Sequence, residues 1–359
     1  MLYAYEAFAV LVFIGMLALD ASQLTRRREK PARANRYKPA ALVIVPCKGI
    51  DPHLEENLRS IAHQSYGQYK VVAVVDSASD PAAKHIRSAG IECISSNYRK
   101  SSRSGKVAAI LFAIKKYPRY GAYVIADSDI RVGPNWLAGL IAPLSIGSIG
   151  LSTTFPKFVP RRGFWSKVKL VWGFVGEGLM ENEGTRFGWG GSMAFRRSLL
   201  SGQALAFLKS SRYSVSDDIS ITKAAKSAAL GIAYVKGIQP SVYSYENLPM
   251  LIEWSNRQTA LTLLGYRKAF YYGIAFYLGE ITLFISGIAL AAAVSPAFII
   301  LLLHFLKSEA KTYIRAESAD PAIALIVVLM PFFYLANLVY ASRMRHISWR
   351  GRRYEIKRQ

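Results

Sequence analysis

The sequence predicts an α/β domain with an open, mostly parallel sheet that is held at a membrane by apolar helices. Three observations support this prediction. Strand-like and helix-like segments alternate up to about residue 240, and the strands end at polar residues. Long uncharged apolar blocks lie outside that region, and basic residues are concentrated beside them.

The composition excludes several classes of protein. The 359 residues include 46 Lys and Arg against 23 Asp and Glu, which gives a formal net charge of +23, while 52% of residues are hydrophobic and 12% aromatic. A disordered basic protein would lack this aromatic content, and a soluble domain rarely combines such charge with such hydrophobicity. The two cysteines, Cys47 and Cys93, provide neither a disulfide framework nor a zinc cluster. We therefore expect the catalytic part to face a reducing compartment.

Three apolar blocks are candidates for membrane spans. Residues 281–306 and 321–342 contain no Asp, Glu, Lys or Arg, and the second block includes Pro331. Each is long enough to cross a bilayer, which requires about 20 apolar residues. The N-terminal block is charge-free only from Ala7 to Leu19, between Glu6 and Asp20. No basic residue precedes this block, so an uncleaved anchor is favoured over a signal peptide.

The positions of the basic residues predict the topology. Residues 25–38 and the tail after Ser342 carry about half of the net charge of +23. Such segments stay on the cytoplasmic side and bind an anionic membrane surface. An even number of spans must then separate them, with residues 307–320 as an external loop and the N-terminus outside. Nucleic-acid binding is disfavoured because no recognition motif accompanies the charge.

These patterns predict a multi-pass protein of the cell membrane with a cytoplasmic catalytic domain. The expected division is an N-terminal transmembrane anchor at 1–24, the α/β domain at 25–240, and an interfacial juxtamembrane segment at 241–275. Two transmembrane helices follow within 276–342, at about 281–306 and 321–342, and a basic cytoplasmic tail covers 343–359.

Within the α/β domain, the first strand is the apolar run from Ala41 to Val45, closed by Pro46. Asp51 and Pro52 begin a helix, since Leu54, Leu58 and Ile61 follow at helical spacing. The runs 69–75 and 121–126 predict two more strands, and 106–114 a helix between them. Ligands of open parallel sheets bind outside the carboxyl ends of the strands. We therefore expect one polar rim formed by Asp76, Asp80, Lys106, Asp127 and Asp129.

The rim does not carry a known nucleotide-loop motif. Neither G-x-G-x-x-G nor the P-loop pattern follows the first strand. Asp127 and Asp129 are two residues apart at a strand end, where they could bind one Mg²⁺ or Mn²⁺ ion that neutralises a diphosphate. Ordinary turn chemistry explains the same pair equally simply.

Two further segments suggest chemistry. Asp217 and Asp218 precede a helical segment and could include a general base, although an acidic pair also suits a helix N-terminus. The stretch Gly188-Trp189-Gly190-Gly191-Ser192 allows close backbone approach to a ligand. Trp189 could stack on a sugar ring there, or it could be a core residue next to a loop.

Several of these motifs together resemble the ceramide glucosyltransferases. The matching strings are Val45-Pro46-Cys47-Lys48-Gly49-Ile50-Asp51-Pro52, Asp80-Pro81-Ala82, Asp127-Ser128-Asp129-Ile130-Arg131-Val132, Gly191-Ser192-Met193 and Asp217-Asp218. The resemblance covers roughly residues 40–260 and the layout of the spans. It implies the inverting GT-A fold, the Rossmann-like fold of nucleotide-diphospho-sugar transferases, in a cytosolic domain.

The resemblance also implies roles for individual residues. Lys106 and either Asp76 or Asp80 would contact the nucleotide-sugar, together with Asp127. Asp127 and Asp129 would bind Mg²⁺ or Mn²⁺. Asp218, with Asp217 beside it, would be the catalytic base. The residues expected to bind the acceptor are Trp189, Gly190, Trp254 and Arg257.

Two departures from the family pattern concern the acceptor. The family has Gln or Arg, two residues, then Arg-Trp near the membrane, whereas this chain has Arg257 followed by Ala260-Leu261. The family also has a histidine before the glycine-rich loop, but no histidine lies between His85 and His304 here.

The expected function is that of a metal-dependent hexosyltransferase of glycolipid biosynthesis. It would transfer one sugar from a nucleotide-sugar, such as UDP-glucose, to a membrane-lipid hydroxyl with inversion. One alternative acceptor is polyprenyl (dolichyl) phosphate, and one non-enzymatic alternative is an inactive membrane module that binds a lipid or a partner.

Overall fold

The structure is a computed structural model that describes residues 2–24, 37–97, 104–200, 216–318 and 320–356. Residues 25–36 of the predicted basic flank lie outside the described residues. The described chain forms a mixed α/β unit on one side and a group of apolar helices on the other.

A seven-stranded sheet forms the centre of the α/β unit, in the order β3-β2-β1-β4-β8-β6-β9. Neighbours from β3 to β4 are parallel, β8 is antiparallel to both β4 and β6, and β9 is parallel to β6. The predicted alternation of strand and helix is therefore present. The strands are β1 (Ala41–Pro46), β2 (Tyr69–Val75), β3 (Glu92–Ser95), β4 (Ala122–Ala126), β6 (Ile149–Thr153), β8 (Ser192–Arg196) and β9 (Gly231–Tyr234).

Helices cover both faces of this sheet, which explains why its first strand has no polar side chain. Val43 packs in one apolar cluster, whereas Leu42 and Ile44 pack in another on the opposite face. The first face carries α2 (Leu54–Ala62), α3 (Ala82–Ser88) and α5 (Trp136–Ile141), and the second carries α4 (Gly105–Lys116) and α7 (Asp217–Ser227). Burial on both faces is typical of parallel strands.

A second, three-stranded sheet joins the α/β unit to the apolar helices. Its order is β5 (Ile130–Arg131), β10 (Ser241–Ser244) and β7 (Lys157–Pro160). Two helices pack beside it, α6 (Phe164–Glu181) and α8 (Leu248–Gly265). The segment predicted to be interfacial, 241–275, is thus divided between β10, α8 and the start of the next helix.

Three described helices are long and apolar enough to cross a membrane, judged by length and composition. They are α1 (Leu2–Leu24, with the apolar window Leu2–Leu19), α9 (Lys268–Ala293) and α11 (Pro321–Arg343). Large apolar side chains on their outer faces are exposed, including Leu11, Ile14, Ile285, Ile288 and Leu325. These helices therefore present an apolar surface suited to lipid.

The middle candidate differs from the expected span at 281–306. The helix begins thirteen residues earlier, at Lys268, and ends at Ala293. Pro296, which lacks a backbone N–H, then starts a 3₁₀ turn capped by Ser295. A separate helix, α10 (Leu302–Ala316), follows. Because residues 281–306 contain no charged side chain, hydropathy alone does not predict this break in the helix.

The segment before α11 contacts the α/β unit. Arg315 Nη2 lies 2.6 Å from Glu181 Oε2, Glu317 pairs with Lys157, and Asp320 pairs with Lys167. These ion pairs join residues 315–320 to α6 and β7, and the external loop expected at 307–320 stays a prediction. Helix α11 also packs along α6 and α8, with Asn337 Oδ1 accepting a hydrogen bond from Trp172 Nε1 at 3.0 Å.

The C-terminal segment forms a β-hairpin of β11 (His346–Trp349) and β12 (Arg352–Glu355). Ile347, Tyr354 and Ile356 pack in one apolar cluster with Ala260 of α8 and Ala341 of α11. The segment predicted as a basic tail at 343–359 is therefore folded against the protein through residue 356.

Candidate active site

One large cavity of about 1280 Å³ runs from the carboxyl ends of the parallel strands to the apolar helices. We call its two ends the strand side and the helix side. Lining residues of the strand side are Lys48, Asp76, Asp127 and Asp129, and those of the helix side are Trp189, Asp218, Trp254 and Tyr266. The cavity opens at the switch point between β1 and β4, where ligands of open sheets bind.

Lys106 connects the two acidic pairs. It is the second residue of α4, and its Nζ lies 2.7 Å from Asp127 Oδ1 and 3.3 Å from Asp217 Oδ2. The same Nζ donates a hydrogen bond to the Gly190 carbonyl oxygen at 3.1 Å. Carboxylates separated by 90 residues in the sequence therefore meet around one cation, one at the end of β4 and the other at the start of α7.

The glycine-rich segment is held tightly against α7. Gly188 N donates to Thr222 Oγ1 at 2.8 Å, and Trp189 N donates to Thr153 Oγ1 at 2.9 Å. A Cβ atom at Gly190 would overlap the carboxylates of Asp217 and Asp218. Glycine is therefore required at that position by packing. Gly190 is not among the residues that line the cavity, whereas its neighbours Trp189 and Gly191 are.

The N-terminus of α7 brings the second acidic pair to the cavity. Ser216 caps the helix by accepting a hydrogen bond from Ile219 N at 3.4 Å. Asp217 is 6% exposed. Among the described residues, Asp218 forms no ion pair. Its carboxylate lines the cavity without the cationic contact that Lys106 provides to Asp217.

Burial and mutual repulsion change the acidities of these groups. Burial raises the pKa of Asp218 well above its ordinary value, Asp217 adds to the increase, and Lys106 opposes it. Burial likewise raises the pKa of Asp129 to about 7, with contributions from Asp127 and Asp51. Burial alone would lower the pKa of Lys106, but the surrounding carboxylates raise it, so this amine stays protonated.

Asp76 and Asp80, which the sequence left as alternatives, have different surroundings. Asp76 lines the cavity, and its Oδ2 lies 2.8 Å from Arg352 Nη2 and 3.6 Å from Lys48 Nζ. Asp80 does not line the cavity; its Oδ1 accepts hydrogen bonds from Gly49 N and Ala82 N, both at 3.0 Å. Asp80 therefore shapes the loop after β1, and Asp76 is the residue available to a ligand.

Sequence reasoning did not identify Arg350 and Arg352 as residues of the strand side, nor Asp51 as the partner of Arg350. Asp51 is 6% exposed, forms an ion pair with Arg350, and accepts a hydrogen bond from Ser128 Oγ at 2.6 Å. The excess of basic residues in 343–359 gives no indication of these contacts. The apolar positions Ile347, Trp349, Tyr354 and Ile356, on either side of Gly351, are a hairpin pattern that would have predicted its fold.

The helix side is aromatic. The Trp254 ring lies 4.7 Å from that of Trp172 and 5.3 Å from that of Phe158, and Lys169 Nζ is 4.7 Å from the Trp254 ring centroid. Arg257 also lines the cavity, and its Nη1 donates to the Ser348 carbonyl oxygen at 3.4 Å. Trp254 and Arg257, expected to bind the acceptor, therefore face the same space as Asp218.

A model of one protein family matches almost the entire chain. The family is described as Glycosyl transferase family 21, and the match covers residues 5–359. The chain belongs to glycosyl transferase family 21. The resemblance to ceramide glucosyltransferases is thereby confirmed, and the enzyme is a glycosyltransferase.

Solved structures add the fold of this family 21 member. A mannosyltransferase from Pyrobaculum calidifontis, in complex with GDP-Man and Mn²⁺, has 19% identity and a TM-score of 0.59, covering 94% of this chain and 97% of that chain. Glucosyl-3-phosphoglycerate synthase from Mycobacterium tuberculosis, in complex with phosphoglyceric acid, has 17% identity and a TM-score of 0.41, covering 66% and 84%. The predicted α/β GT-A fold is confirmed.

Asp127 and Asp129 are the residues of this glycosyltransferase that could hold a divalent ion. Both line the cavity, and Asp129 forms no ion pair with any described residue. In the part of the chain that the structure describes, no group of three or more His, Cys, Asp or Glu surrounds a metal position. Mg²⁺ and Mn²⁺ commonly take one or two carboxylates and fill their coordination with substrate phosphate and water. The pair fits such an ion.

The cavity of the family 21 enzyme continues between the apolar helices. Its lining there includes Val12, Gly15 and Met16 of α1, and Phe276 and Gly279 of α9. A Cβ atom at Gly279 would lie 3.2 Å from Met16 Sδ, so the two helices are in close contact at that level. An apolar passage thus leads from the candidate membrane helices to the acidic residues.

Proposed function

We propose that this enzyme transfers one hexose from a nucleotide-sugar, such as UDP-glucose, to a hydroxyl group of a membrane lipid, with inversion. The observation that carries this proposal is the single cavity that joins Asp218 and Lys106 to the passage between α1 and α9. A water-soluble acceptor would have no use for an apolar passage, whereas a lipid can keep its chains there and present its headgroup to Asp218.

The reaction is a displacement at the anomeric carbon. A bond forms between the lipid hydroxyl oxygen and that carbon, while the bond from the carbon to the diphosphate oxygen breaks. Asp218 accepts the hydroxyl proton, which requires its ionised form. A divalent ion at Asp127 and Asp129 would supply charge neutralisation for the diphosphate. Lys106 places a further positive charge beside Asp127, on the strand side where the nucleotide-sugar would lie.

The charge pattern supports a cytoplasmic reaction with the basic flank at 25–38 on the inner leaflet. The hairpin after α11 contacts the α/β unit through Arg352 and Asp76. This contact supports one common side for the catalytic unit and the C-terminus. The prediction that the N-terminus is outside follows from α1 as a single span.

A substitution within the passage tests the lipid acceptor. Gly15 lines the cavity, and a Cβ atom there would have no neighbour within 4 Å, so Gly15→Phe can place a ring in the passage without a clash in the backbone. We expect a higher KM for the lipid, an unchanged Kd for the nucleotide-sugar and no change in thermal unfolding. The matched control is Leu17→Phe on the opposite face of the same helix, at an exposed residue that does not line the cavity.

The assay uses the full-length enzyme in detergent with Mn²⁺, radiolabelled UDP-glucose, and ceramide or diacylglycerol, followed by lipid extraction. Equal lipid KM values for Gly15→Phe and Leu17→Phe would contradict the passage. Transfer to polyprenyl phosphate, with no transfer to either hydroxyl lipid, would overturn the hydroxyl acceptor and identify the alternative one. Absence of nucleotide-sugar binding would instead favour an inactive lipid- or partner-binding module.

A further inference from the structure

The C-terminal hairpin inserts two arginines into the strand side of the cavity. Arg352 Nη2 lies 2.8 Å from Asp76 Oδ2, Arg350 forms an ion pair with Asp51, and both arginines line the cavity. Their side chains are 27% and 31% exposed, so neither is sealed in the protein. These groups reach the rim from a segment more than 270 residues away in sequence from its carboxylates.

The hairpin turn places one arginine in an unusual backbone conformation. Trp349 pairs with Arg352, so Arg350 and Gly351 form a two-residue turn with φ values of 50° and 71°. Such turns strongly favour Asn-Gly or Asp-Gly, because both central residues have positive φ. Arginine is disfavoured in this backbone conformation. Its side chain lines the cavity, and a role there would explain why arginine occupies the position.

The hairpin is also attached by apolar packing away from the ion pairs. Ile347, Tyr354 and Ile356 bury apolar surface against Ala260 and Ala341, and Ile356 N donates to the Arg345 carbonyl oxygen at 2.8 Å. Ala260 is one of the two positions at which the family motif Arg-Trp is absent from this chain. The hairpin therefore docks directly over that position.

The carboxylates around the cavity would repel a bound diphosphate unless additional cationic groups balance the charge. Five carboxylates line the cavity, a sixth, Asp51, pairs with the cavity-lining Arg350, and Lys106 already contacts both Asp127 and Asp217. The six are Asp51, Asp76, Asp127, Asp129, Asp217 and Asp218. Guanidinium groups bind phosphate oxygens in a two-point manner. A Cβ atom at Gly105, the first residue of α4, would lie 2.5 Å from Arg352 Nη1, so this guanidinium lies over a helix N-terminus.

We propose that Arg350 and Arg352 of the C-terminal hairpin bind the diphosphate of the nucleotide-sugar and position it for transfer. The inference rests on the proposed function, because it assumes a diphosphate donor. When the donor is absent, Asp51 and Asp76 hold the two guanidinium groups at the rim. When the donor binds, its phosphate oxygens take over part of these contacts.

The test compares nucleoside diphosphates with monophosphates. Arg350→Asn suits the turn better than arginine and removes the charge, and Arg352→Gln removes the second charge. The matched control is Arg353→Gln, whose guanidinium contacts His346 on the exposed side of the hairpin at 3.2 Å. The full-length enzyme in detergent is titrated with UDP, UMP, GDP and GMP in the presence of Mn²⁺, and thermal unfolding is recorded for each variant.

We expect each cavity-facing variant to bind the preferred diphosphate about 10- to 100-fold more weakly, as for loss of a hydrogen bond to a charged group. Affinity for the monophosphate should change less than about threefold, and Arg353→Gln should match the wild type. Arg352→Lys should recover part of the diphosphate affinity. The distinction between diphosphate and monophosphate is a result that a merely structural role would not produce.

Equal loss of diphosphate and monophosphate affinity, accompanied by a lower unfolding temperature, would overturn the inference, because the arginines would then only support the fold. If Arg350→Asn and Arg352→Gln both bind the diphosphate as tightly as the wild type, the inference is overturned as well. In that case, lipid glycosylation by the wild-type enzyme would still support the proposed function. Conversely, selective loss of diphosphate binding supports the inference even if no lipid acceptor is glycosylated. A wild type that binds neither diphosphate would refute both.

Discussion

The carboxylates on the strand side and on the helix side of the cavity differ in their cationic neighbours. On the strand side, Asp76 and Asp127 each lie within 4 Å of a cationic side chain, and neighbouring Asp51 pairs with Arg350, whereas Asp129 forms no ion pair with a described residue and is proposed to bind the divalent ion. On the helix side, Asp218 has no such partner among the described residues and shares the cavity lining with Trp189, Trp254 and Tyr266. A charge-balanced surface suits an anionic, metal-bound donor, whereas a poorly compensated carboxylate retains affinity for a proton. Under the proposed function, we expect the strand side to bind the donor and Asp218 to accept the proton.

The largest expected effect comes from removing the proton acceptor. Asp218→Asn should decrease kcat for transfer to a hydroxyl lipid by about 10²- to 10⁴-fold. The Kd of the nucleotide-sugar should change little, because Asp218 is outside the cation contacts of the strand side. Single-turnover transfer and equilibrium donor binding check the two quantities.

Asp217→Asn serves as the comparison, since Asp217 Oδ2 contacts Lys106 at 3.3 Å. This variant should weaken donor binding as well as transfer. Identical behaviour of the two variants would remove the distinction between the strand side and the helix side. Wild-type kcat in Asp218→Asn would refute the assignment of the base.

The pH dependence of transfer should reflect the same difference. Burial and Asp217 raise the pKa of Asp218, so its active ionised form is lost at a higher pH than for an ordinary carboxylate. Transfer to a hydroxyl acceptor should therefore increase with pH and fall about tenfold per pH unit below this pKa. In Asp217→Asn, one of the raising charges is absent, and the acidic limb should move to lower pH. An acidic limb at the same pH in both enzymes would contradict this coupling.

The smallest expected effects separate Asp76 from Asp80. Asp76→Asn should weaken nucleotide-sugar binding about tenfold, while its unfolding temperature stays near that of the wild type, because the carboxylate is at the cavity. Asp80→Ala should leave donor affinity nearly unchanged and decrease the free energy of unfolding by about 1 kcal/mol, since two backbone N–H groups lose their acceptor. Donor titration measures the affinity, and denaturant unfolding measures the stability. If Asp80→Ala weakened donor binding and Asp76→Asn only lowered stability, the roles assigned to the two residues would have to be exchanged.

Local patterns predicted the part of the site that lies next to strand ends. The run Ala41–Pro46 and the residues after β2 and β4 could be identified because buried parallel strands are apolar throughout and end at the binding edge. The choice between Asp76 and Asp80 could not be made in this way. It depends on which carboxylate the loop backbone uses as a hydrogen-bond acceptor.

Charge counts were less informative than charge positions near the C-terminus. The excess of Arg in 343–359 predicted membrane-surface attraction, yet Arg350 and Arg352 contact aspartates of the strand side. The same limitation affected 281–306, where an uncharged stretch contains the end of α9 and the turn at Pro296. Hydropathy reports the environment that a segment tolerates, but it does not report which segment packs against which.

The order of residues along the chain was sufficient to indicate the α/β class, the apolar helices, the acidic pairs and their chemistry, because periodicity, strand ends and side-chain type are local properties. Tertiary packing decided that Lys106 stands between Asp127 and Asp217, that the cavity continues between α1 and α9, and that the final hairpin reaches Asp51 and Asp76. Those relations join segments far apart in the sequence. They arise only when apolar surfaces such as Ile347 on Ala260 are buried together, and no local pattern encodes that choice of partner.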